Sequence, residues 1–258
     1  MRLLIELEAV GNCLYDLGYY HKLQGVIYSL LEDTPYSILH NKKGYKFFCF
    51  SNIFPIPKKE QNGKIFEGER KKLLVSSPDK LFIKFLEDKL QQKIEEKKVI
   101  NIGDMSFRIL EVKKFEIKLK KNIRLITATP IIIRIPERNY EKYKIPKEYK
   151  KKRYIFWRAS YPFEAFVKQL EENLVKKYNE FYKTNLSIDE GIFEIFKYKK
   201  SVATRFILHG KEQMLIGSIW EFIFTYLTEK QKKVLEFGID CGFGERNSLG
   251  FGFINKVD

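Results

Sequence analysis

The stretch KLLVSSPDKLFIKFLEDKL (Lys72–Leu90) changes from a strand pattern to a helix pattern within a few residues. Its first part, KLLVSS, is short and apolar and predicts a strand. Ser77, Pro78 and Asp79 then supply a helix N-cap, a proline at the first helical position and an acidic first turn. The segment that follows predicts a helix, because its apolar residues recur three and four positions apart. They are Phe82, Phe85, Leu86, Leu90 and Ile94.

On either side of this stretch, segments with a strand pattern alternate with segments with a helix pattern in both halves of the chain. The first half predicts strands at Arg2–Ala9, Gly44–Phe54 and Ser106–Ile117, and a helix between Tyr20 and Leu31. The second half predicts strands at Arg124–Ile135, Ile192–Lys200 and Val202–His209, helices at Pro162–Tyr182 and Glu229–Phe237, and an apolar stretch at Met214–Leu227. The basic stretch KLKKN (Lys118–Asn122) separates the halves.

The order strand, helix, strands, helix, strand is that of the ferredoxin-like βαββαβ unit. We therefore predict an α+β protein with two tandem ferredoxin-like (RRM-like) domains on antiparallel sheets, at residues 1–120 and 121–258. No residue-level repeat is visible, so the duplication is inferred from the order of the elements alone.

The composition is strongly basic, with 48 Lys and Arg against 33 Asp and Glu and a formal net charge of +15. This excess favours a polyanionic partner, nucleic acid before an anionic membrane. A lysine-rich codon bias or a surface charged for heat tolerance would give the same balance. Glu6 and Glu8 interrupt the start of the chain, unlike a signal peptide, and no apolar run approaches the ~20 residues that span a bilayer. We expect a soluble, cytoplasmic protein with no membrane partner.

Sequence motifs for nucleotides and metals are missing. GxxxxGK[ST] and HExxH do not occur, and the GxGxxG fingerprint fails because Asn247 stands at its third glycine position. Cys13, Cys49 and Cys241 are too widely scattered for a CxxC metal knuckle. No metal and no cofactor are therefore predicted.

Glycine is concentrated near the end of the sequence, where Gly238–Gly252 holds five of the 15 glycines. A glycine-rich turn that exposes successive N–H groups forms a concavity for anions. Arg246, Asn247 and Ser248 lie within it and carry donors for phosphate oxygens. The alternative is a tight loop that brings the last strand into its sheet, and the residues alone leave both open.

Three segments resemble a known family: GFGERNSLGFGFI (Gly242–Ile254), YYHKLQGVIYSLL (Tyr19–Leu31) and SILHNKKGYKFFCFS (Ser37–Ser51). The chain resembles the CRISPR-associated endoribonucleases that cut precursor CRISPR RNA within its repeats, the sixth Cas family of the RAMP superfamily. The resemblance implies CRISPR repeat RNA as the partner, with interference-complex subunits as further candidates, and a monomer or homodimer.

The resemblance also implies the site residues. Tyr28, His40 and Lys46 match the family's catalytic trio, which places catalysis in the 1–120 domain and the glycine-rich loop at the end of the 121–258 domain. The implied or candidate RNA contacts are Lys42, Lys43, Gly242, Gly244, Arg246, Asn247, Ser248, Gly250 and Gly252, the glycines letting the RNA backbone approach closely. The basic run Lys147–Arg153 is a second candidate contact, with a solvated loop as its alternative.

A trio of this kind suits RNA cleavage without metal, in which the ribose 2′-hydroxyl attacks the adjacent phosphate and leaves a 2′,3′-cyclic phosphate and a 5′-hydroxyl. Histidine can transfer protons near neutrality, lysine can neutralise the charge of the transition state, and tyrosine can donate a hydrogen bond. The acid and base roles of His40 and Tyr28 stay open. So do two rival functions, a non-catalytic repeat-RNA-binding subunit and a general RNA-binding module.

Overall fold

The computed structural model describes residues 1–146, 148, 152–208 and 211–257. Most of the basic run predicted as a second RNA contact (Lys147, Lys150 and Lys151) and His209 lie outside these residues. The chain forms two compact units. The first contains Met1–Glu116 and also Ser248–Gly250, and the second contains Ile117–Arg205 and Glu212–Asn247 together with the last strand.

The first unit is an antiparallel sheet with two helices. Its elements are β1 (Arg2–Ala9), β2 (Cys13–Leu14), α1 (Tyr20–Leu30), β3 (Cys49–Phe50), β4 (Lys64–Ile65), β5 (Arg70–Ser76), α2 (Lys80–Glu95), β6 (Val99–Ile102) and β7 (Met105–Phe115). The main sheet has the order β3-β5-β1-β7-β6, and β2 pairs with β4 outside it. Alternate residues of β1, among them Leu3, Ile5 and Leu7, are buried in a core that also takes up the apolar sides of both helices.

The second unit repeats this plan. Its elements are β8 (Ile123–Thr127), β9 (Arg134–Pro136), β10 (Tyr154–Phe156), α3 (Phe163–Tyr182), β11 (Ile195–Leu208), β12 (Lys211–Phe224), α4 (Glu229–Cys241) and β13 (Ile254–Val257). Its main sheet has the order β11-β12-β8-β13, with β9 and β10 paired separately. In both units the first strand lies between the third and the last strands of the βαββαβ unit, which is the ferredoxin-like arrangement. The predicted α+β class with two tandem antiparallel units is confirmed.

The helix predicted by the Lys72–Leu90 stretch is α2. Its N-cap is Asp79, so the prediction that Ser77 is the N-cap was wrong. The Asp79 carboxylate accepts hydrogen bonds from the N–H groups of Leu81 and Phe82, which have no partner inside the helix. Ser77 instead donates through its hydroxyl to the Phe47 carbonyl at 2.7 Å. Ser and Asp are equally good caps, so the residue types alone could not choose between them.

Two predicted strands are shorter than their patterns. Within Gly44–Phe54 the regular strand is confined to β3, and Phe47, just before it, has a φ of +51° that an extended strand does not accommodate. The pattern Arg124–Ile135 divides into β8 and β9, because Pro130 between them has no N–H for a sheet ladder. The two patterns after Ile192 merge into the single strand β11.

The helix α3 confirms the predicted apolar stripe, with Phe166, Leu170 and Leu174 fully buried. Lys177 is buried on the same side of the helix, one turn after Leu174. Neither α3 nor any other helix in the described ranges is long and apolar enough to cross a membrane.

Candidate functional site

Tyr28 lies in the last turn of α1, at the edge of the first core. Leu23 and Ile27 are buried in that core, and Tyr28, the next residue, is half-buried against it. Its ring meets Phe48 edge to face, with the ring centroids 6.1 Å apart. This packing holds the ring, so the hydroxyl has a defined position.

Lys46 reaches Tyr28 from the irregular segment before β3. Its Nζ donates to the Tyr28 hydroxyl oxygen at 2.7 Å and lies 4.7 Å from the centre of the Tyr28 ring. Nζ also donates to the His40 carbonyl at 3.4 Å. Lys46 therefore joins the two other members of the predicted trio.

His40 is the last residue of a 3₁₀ turn, Ser37–His40, and its side chain is exposed. Its ring stands edge-on to the ring of Tyr28, with centroids 5.8 Å apart at an interplanar angle of 80°. Nδ1 lies 3.1 Å from Asn41 Oδ1. A proton on Nδ1 would be donated there, which leaves the Nε2 lone pair to accept a proton from a substrate. The structure thus brings Tyr28, His40 and Lys46 into one cluster.

Burial shifts the pKa values of Tyr28 and Lys46, the two members of the cluster that are joined by a hydrogen bond. Burial raises the pKa of Tyr28 to about 12. Burial also lowers the pKa of the Lys46 ammonium. Tyr28 therefore stays a neutral phenol across the physiological range, and Lys46 gives up a proton more readily than an exposed lysine.

Ser248, predicted as an RNA contact, belongs to the first unit. Gln24, one helical turn before Tyr28, donates from Nε2 to the Ser248 carbonyl at 2.8 Å and to Ser248 Oγ at 3.0 Å. Gly250 packs against the ring of Phe50, which occupies the space that a Cβ would need. The segment Ser248–Gly250 is therefore fitted closely to the N-terminal unit.

The other loop glycines are buried in the second unit, and each has a positive φ: Gly242 (+89°), Gly244 (+69°) and Gly252 (+73°). A Cβ at Gly242 would lie 2.5 Å from the Asn247 side chain, and one at Gly244 would lie 2.5 Å from the Ile132 carbonyl oxygen. At Gly252 it would overlap the Phe243 carbonyl. The protein's own packing thus requires glycine at these positions, and RNA contact there stays a prediction.

Asn247 and Lys177 hold this loop from inside. Asn247 Nδ2 donates to the carbonyls of Phe243 and Phe251 at 3.0 and 2.9 Å, so its amide hydrogens are engaged within the protein. The buried Lys177 Nζ donates to the carbonyls of Gly242 and Gly244 at 2.5 and 3.0 Å and to Asn247 Oδ1 at 3.0 Å. The predicted contact of Asn247 with phosphate stays a prediction, and its observed role is to close the loop.

Lys177 and Gln24 were missed by the sequence reasoning. A signal existed for Lys177, because a lysine on an apolar stripe must be buried with acceptors or leave the core. Gln24 gave no signal, since a glutamine in an amphipathic helix is ordinary.

The remaining predicted contacts are cations on the surface. Lys42, Lys43 and Arg246 are exposed. Lys42 Nζ lies 5.3 Å from the centre of the Phe47 ring. Arg246 has a φ of +60°, which belongs to the sharp turn of the loop. All three can reach a phosphate without breaking a core contact.

No group of three or more His, Cys, Asp or Glu side chains suited to a metal ion occurs among the residues that the structure describes. What the cluster offers is a proton acceptor, a cation and a neutral hydroxyl donor.

Known proteins resemble this chain along its whole length. The family model described as CRISPR associated protein Cas6, C-terminal, matches residues 112–256. The CRISPR-associated endoribonuclease Cas6 2 of Methanocaldococcus jannaschii is 35% identical over 263 residues, covering 100% of each chain. The CRISPR-associated endoribonuclease Cas6 of Haloferax mediterranei is 29% identical, covering 100% of this chain and 94% of its own.

Solved structures share the fold. A structure described as CRISPR associated protein Cas6 has a TM-score of 0.70 at 24% identity, covering 100% of this chain and 99% of the other. The product of a Cas6-related gene from Pyrococcus furiosus has a TM-score of 0.71 at 21% identity, covering 100% and 98%. The family match over residues 112–256 and the 35% identical relative go further than the fold: this chain belongs to the Cas6 family of CRISPR-associated proteins.

Proposed function

We propose that this Cas6 protein is an endoribonuclease that cleaves precursor CRISPR RNA within its repeat without using a metal ion. The observation that carries the proposal is the cluster of Tyr28, His40 and Lys46, with its 2.7 Å hydrogen bond and its edge-on rings 5.8 Å apart. Two relatives that match over the whole chain and are named CRISPR-associated endoribonucleases support the class of reaction.

The proposed reaction needs only the RNA and side chains that move protons. The ribose 2′-oxygen bonds to the neighbouring phosphorus as its hydroxyl proton passes to a base. The bond from phosphorus to the 5′-oxygen breaks, and that oxygen takes a proton from an acid. The products are a 2′,3′-cyclic phosphate and a 5′-hydroxyl. Because the nucleophile belongs to the RNA, no bound water or metal hydroxide is required.

The environment of each side chain supports a division of the roles. Tyr28, with a pKa of about 12, is too weak an acid to serve as a tyrosinate base, so it acts as a hydrogen-bond donor. His40 accepts the 2′-proton at Nε2, since Asn41 Oδ1 lies beside Nδ1. Lys46 keeps N–H donors beyond the bond to Tyr28. Its lowered pKa suits it to protonate the 5′-oxygen while its charge stabilises the pentavalent phosphorus.

Repeat RNA would be held by the exposed cations Lys42, Lys43 and Arg246, in a protein of net charge +15. In this proposal the 1–120 domain carries catalysis and the 121–258 domain carries the loop. CRISPR repeat RNA is the proposed partner of a monomer or homodimer, with interference-complex subunits as further partners.

One observation favours the rival, a subunit that binds repeat RNA without cutting it. The His40 imidazole meets Tyr28 through ring edges and pairs with Asn41, so the cluster does not by itself aim the imidazole at a shared atom. A Pyrococcus furiosus relative, 26% identical, is named a putative CRISPR-associated endoribonuclease-like protein.

The test is cleavage of labelled repeat RNA by the full-length protein in excess chelator, with analysis of the product ends. We expect undiminished cleavage and 2′,3′-cyclic phosphate. His40→Ala should lower the single-turnover rate by about 10²–10⁴, the usual contribution of general acid–base catalysis, with RNA affinity retained. Ser37→Ala, an exposed change in the same turn, is the control. Strict dependence on magnesium or manganese, or a wild-type rate in His40→Ala, contradicts the proposal.

A further inference from the structure

The ribbon of β9 and β10 in the second unit presents two aromatic rings on one face. Successive residues of a strand point to opposite faces. Ile155 is buried in the core of the second unit, so its neighbours Tyr154 and Phe156 lie on the other face of β10. Their ring centroids are 5.6 Å apart at an interplanar angle of 71°. Tyr154 is 36% exposed and Phe156 is half-buried, so both rings are accessible at the surface.

Arg134 of β9 joins these rings to the glycine-rich loop. It pairs with Phe156 in the ribbon, and its guanidinium carbon lies 4.6 Å from the centre of the Tyr154 ring. A guanidinium over an aromatic ring is attracted by the π-electrons. The same guanidinium donates a hydrogen bond to the carboxylate of Glu245. Glu245 belongs to the loop and precedes the exposed Arg246, so the two rings lie beside a candidate phosphate contact of the same unit.

A pocket of about 440 Å³ opens next to the rings. Its walls include aromatic rings and cations, which are Tyr154, Phe156, Tyr161, Lys152, Arg153 and Arg158. Among the described residues that line it there is no carboxylate. The volume lies within the range of about 300–1,000 Å³ that is usual for sites of small organic ligands. The pocket therefore suits a ligand that is flat in one part and negatively charged in another.

An RNA nucleotide has both properties. Its base stacks on tyrosine and phenylalanine rings and on guanidinium planes, and its phosphate pairs with lysine and arginine. A base inside a duplex is already stacked between its neighbours, so the nucleotide that enters has to be unpaired.

We propose that this pocket binds one unpaired nucleotide of the repeat RNA, with the base stacked on Tyr154 or Phe156. The inference rests on the proposed function, because it takes repeat RNA as the partner. It adds a contact to a base, whereas the exposed lysines and Arg246 would contact phosphates. Phosphate contacts carry no sequence information, and base contacts do. The pocket thus contributes to the choice of RNA.

The first test is the Kd of the full-length protein for repeat RNA that carries a 2′-deoxyribose at the cleavage site and cannot be cut. Tyr154→Ala should raise this Kd by about fivefold to a hundredfold, the loss of stacking on one base. Phe156→Leu, which keeps an apolar side chain but removes the ring, should raise it as well. Tyr226→Ala, at another exposed tyrosine of the second unit, is the control and should bind like the wild type. A wild-type Kd for both Tyr154→Ala and Phe156→Leu would overturn the proposal.

Salt dependence separates stacking from charge. Stacking releases no counterions, so Tyr154→Ala should shift the plot of log Kd against log salt concentration without changing its slope. Arg246→Ala, in contrast, should reduce the slope by about 0.7, the contribution of one phosphate contact to a single strand. A slope reduced by the same amount in Tyr154→Ala would mean that a phosphate contact was lost, and the assignment to a base would be overturned.

The decisive measurement places the fluorescent base 2-aminopurine at each unpaired position of the repeat in turn. Stacking on an aromatic ring quenches its fluorescence. We expect a position that is quenched when the wild type binds and that stays bright with Tyr154→Ala and Phe156→Leu, both shown by thermal melts to be folded. If quenching is the same with the variants at every position, the proposal is overturned.

Failure of the proposed function looks different. A protein that binds repeat RNA but does not cut it, or that cuts at the wild-type rate as His40→Ala, contradicts the proposed nuclease while the Kd and fluorescence results for Tyr154 still stand. A wild-type protein that does not bind repeat RNA would overturn both.

Discussion

Replacing Lys177 by methionine should destabilise the second unit. Lys177 is buried in α3, and its ammonium donates to three acceptors, the carbonyls of Gly242 and Gly244 and Oδ1 of Asn247. Methionine fills nearly the same volume, so no large cavity forms. What changes is that three buried oxygens lose a charged donor.

The expected magnitude follows from two opposing contributions. A hydrogen bond from a charged group contributes about 1.5–3 kcal/mol, and a buried acceptor left without a partner costs about 1–3 kcal/mol. Removing the ammonium also removes its desolvation penalty, which is several kcal/mol for a buried ion. The net loss should therefore be about 2–4 kcal/mol, less than the sum of three bonds. At about 2–4 °C per kcal/mol for a domain of this size, the Tm of the second unit should fall by about 5–15 °C.

The assay is thermal unfolding followed by circular dichroism, with Lys176→Met as the matched control. Lys176 is the neighbouring residue on α3 and is exposed, so its substitution should change the free energy of unfolding by no more than about 0.5 kcal/mol. Equal melting temperatures for Lys177→Met and Lys176→Met would refute the view that Lys177 organises the loop.

Three further predictions concern the loop, the second sheet and the RNA. Gly250→Val should have a lower Tm than the wild type, because the Phe50 ring occupies the space of the new side chain. Arg246→Ala should have the wild-type Tm and bind repeat RNA more weakly. The reverse pattern in thermal melts and binding curves would contradict both expectations. Hydrogen bonds from Lys199 and Arg124 lower the pKa of Glu221 from 4.5 to about 2, so the stabilisation is present above pH 4.5 and is lost as the pH falls toward 2. The Tm difference between wild type and Glu221→Gln should shrink as the pH falls from 4.5 toward 2. A Tm difference independent of pH would mean that the negative charge of Glu221 does not stabilise the fold. Affinity for repeat RNA should fall steeply with salt, by about −0.7 in log–log slope for each phosphate contact to a single strand; an affinity insensitive to salt would favour base stacking.

The fold could be predicted because short segments indicate each helix or strand, and the same order of elements occurs in both halves of the chain. The stripe of α3 and the alternation of β1 each place apolar residues on one side, and the order of the elements then allows few topologies. The predictions were wrong where two residues or two backbone conformations fitted the local sequence equally well. Asp79 displaced Ser77 as the cap, and the chain left the strand pattern at Phe47 through a backbone conformation that no residue type announces.

The candidate site could be predicted only in part. The segments that resemble the family pointed to Tyr28, His40 and Lys46, and the structure brings these side chains together. The sequence offered two explanations for the loop glycines, and Gly244 and Gly252 are explained by contacts with the protein's own carbonyls. Contacts between residues far apart in the chain, such as Lys177 with Gly242 or Gln24 with Ser248, exist only after folding.

Because translation begins at the N-terminus, Tyr28, His40 and Lys46 leave the ribosome long before Ser248 does. By then α1, β3 and their core can form, since domains fold as units during translation. Ser248, which belongs to the same unit, arrives after nearly all of the second unit has been made. A nascent or prematurely terminated chain therefore carries the trio without the segment that Gln24 binds. The first unit therefore gains its last segment, Ser248–Gly250, only after most of the second unit has been translated, when that segment reaches Gln24 and Phe50.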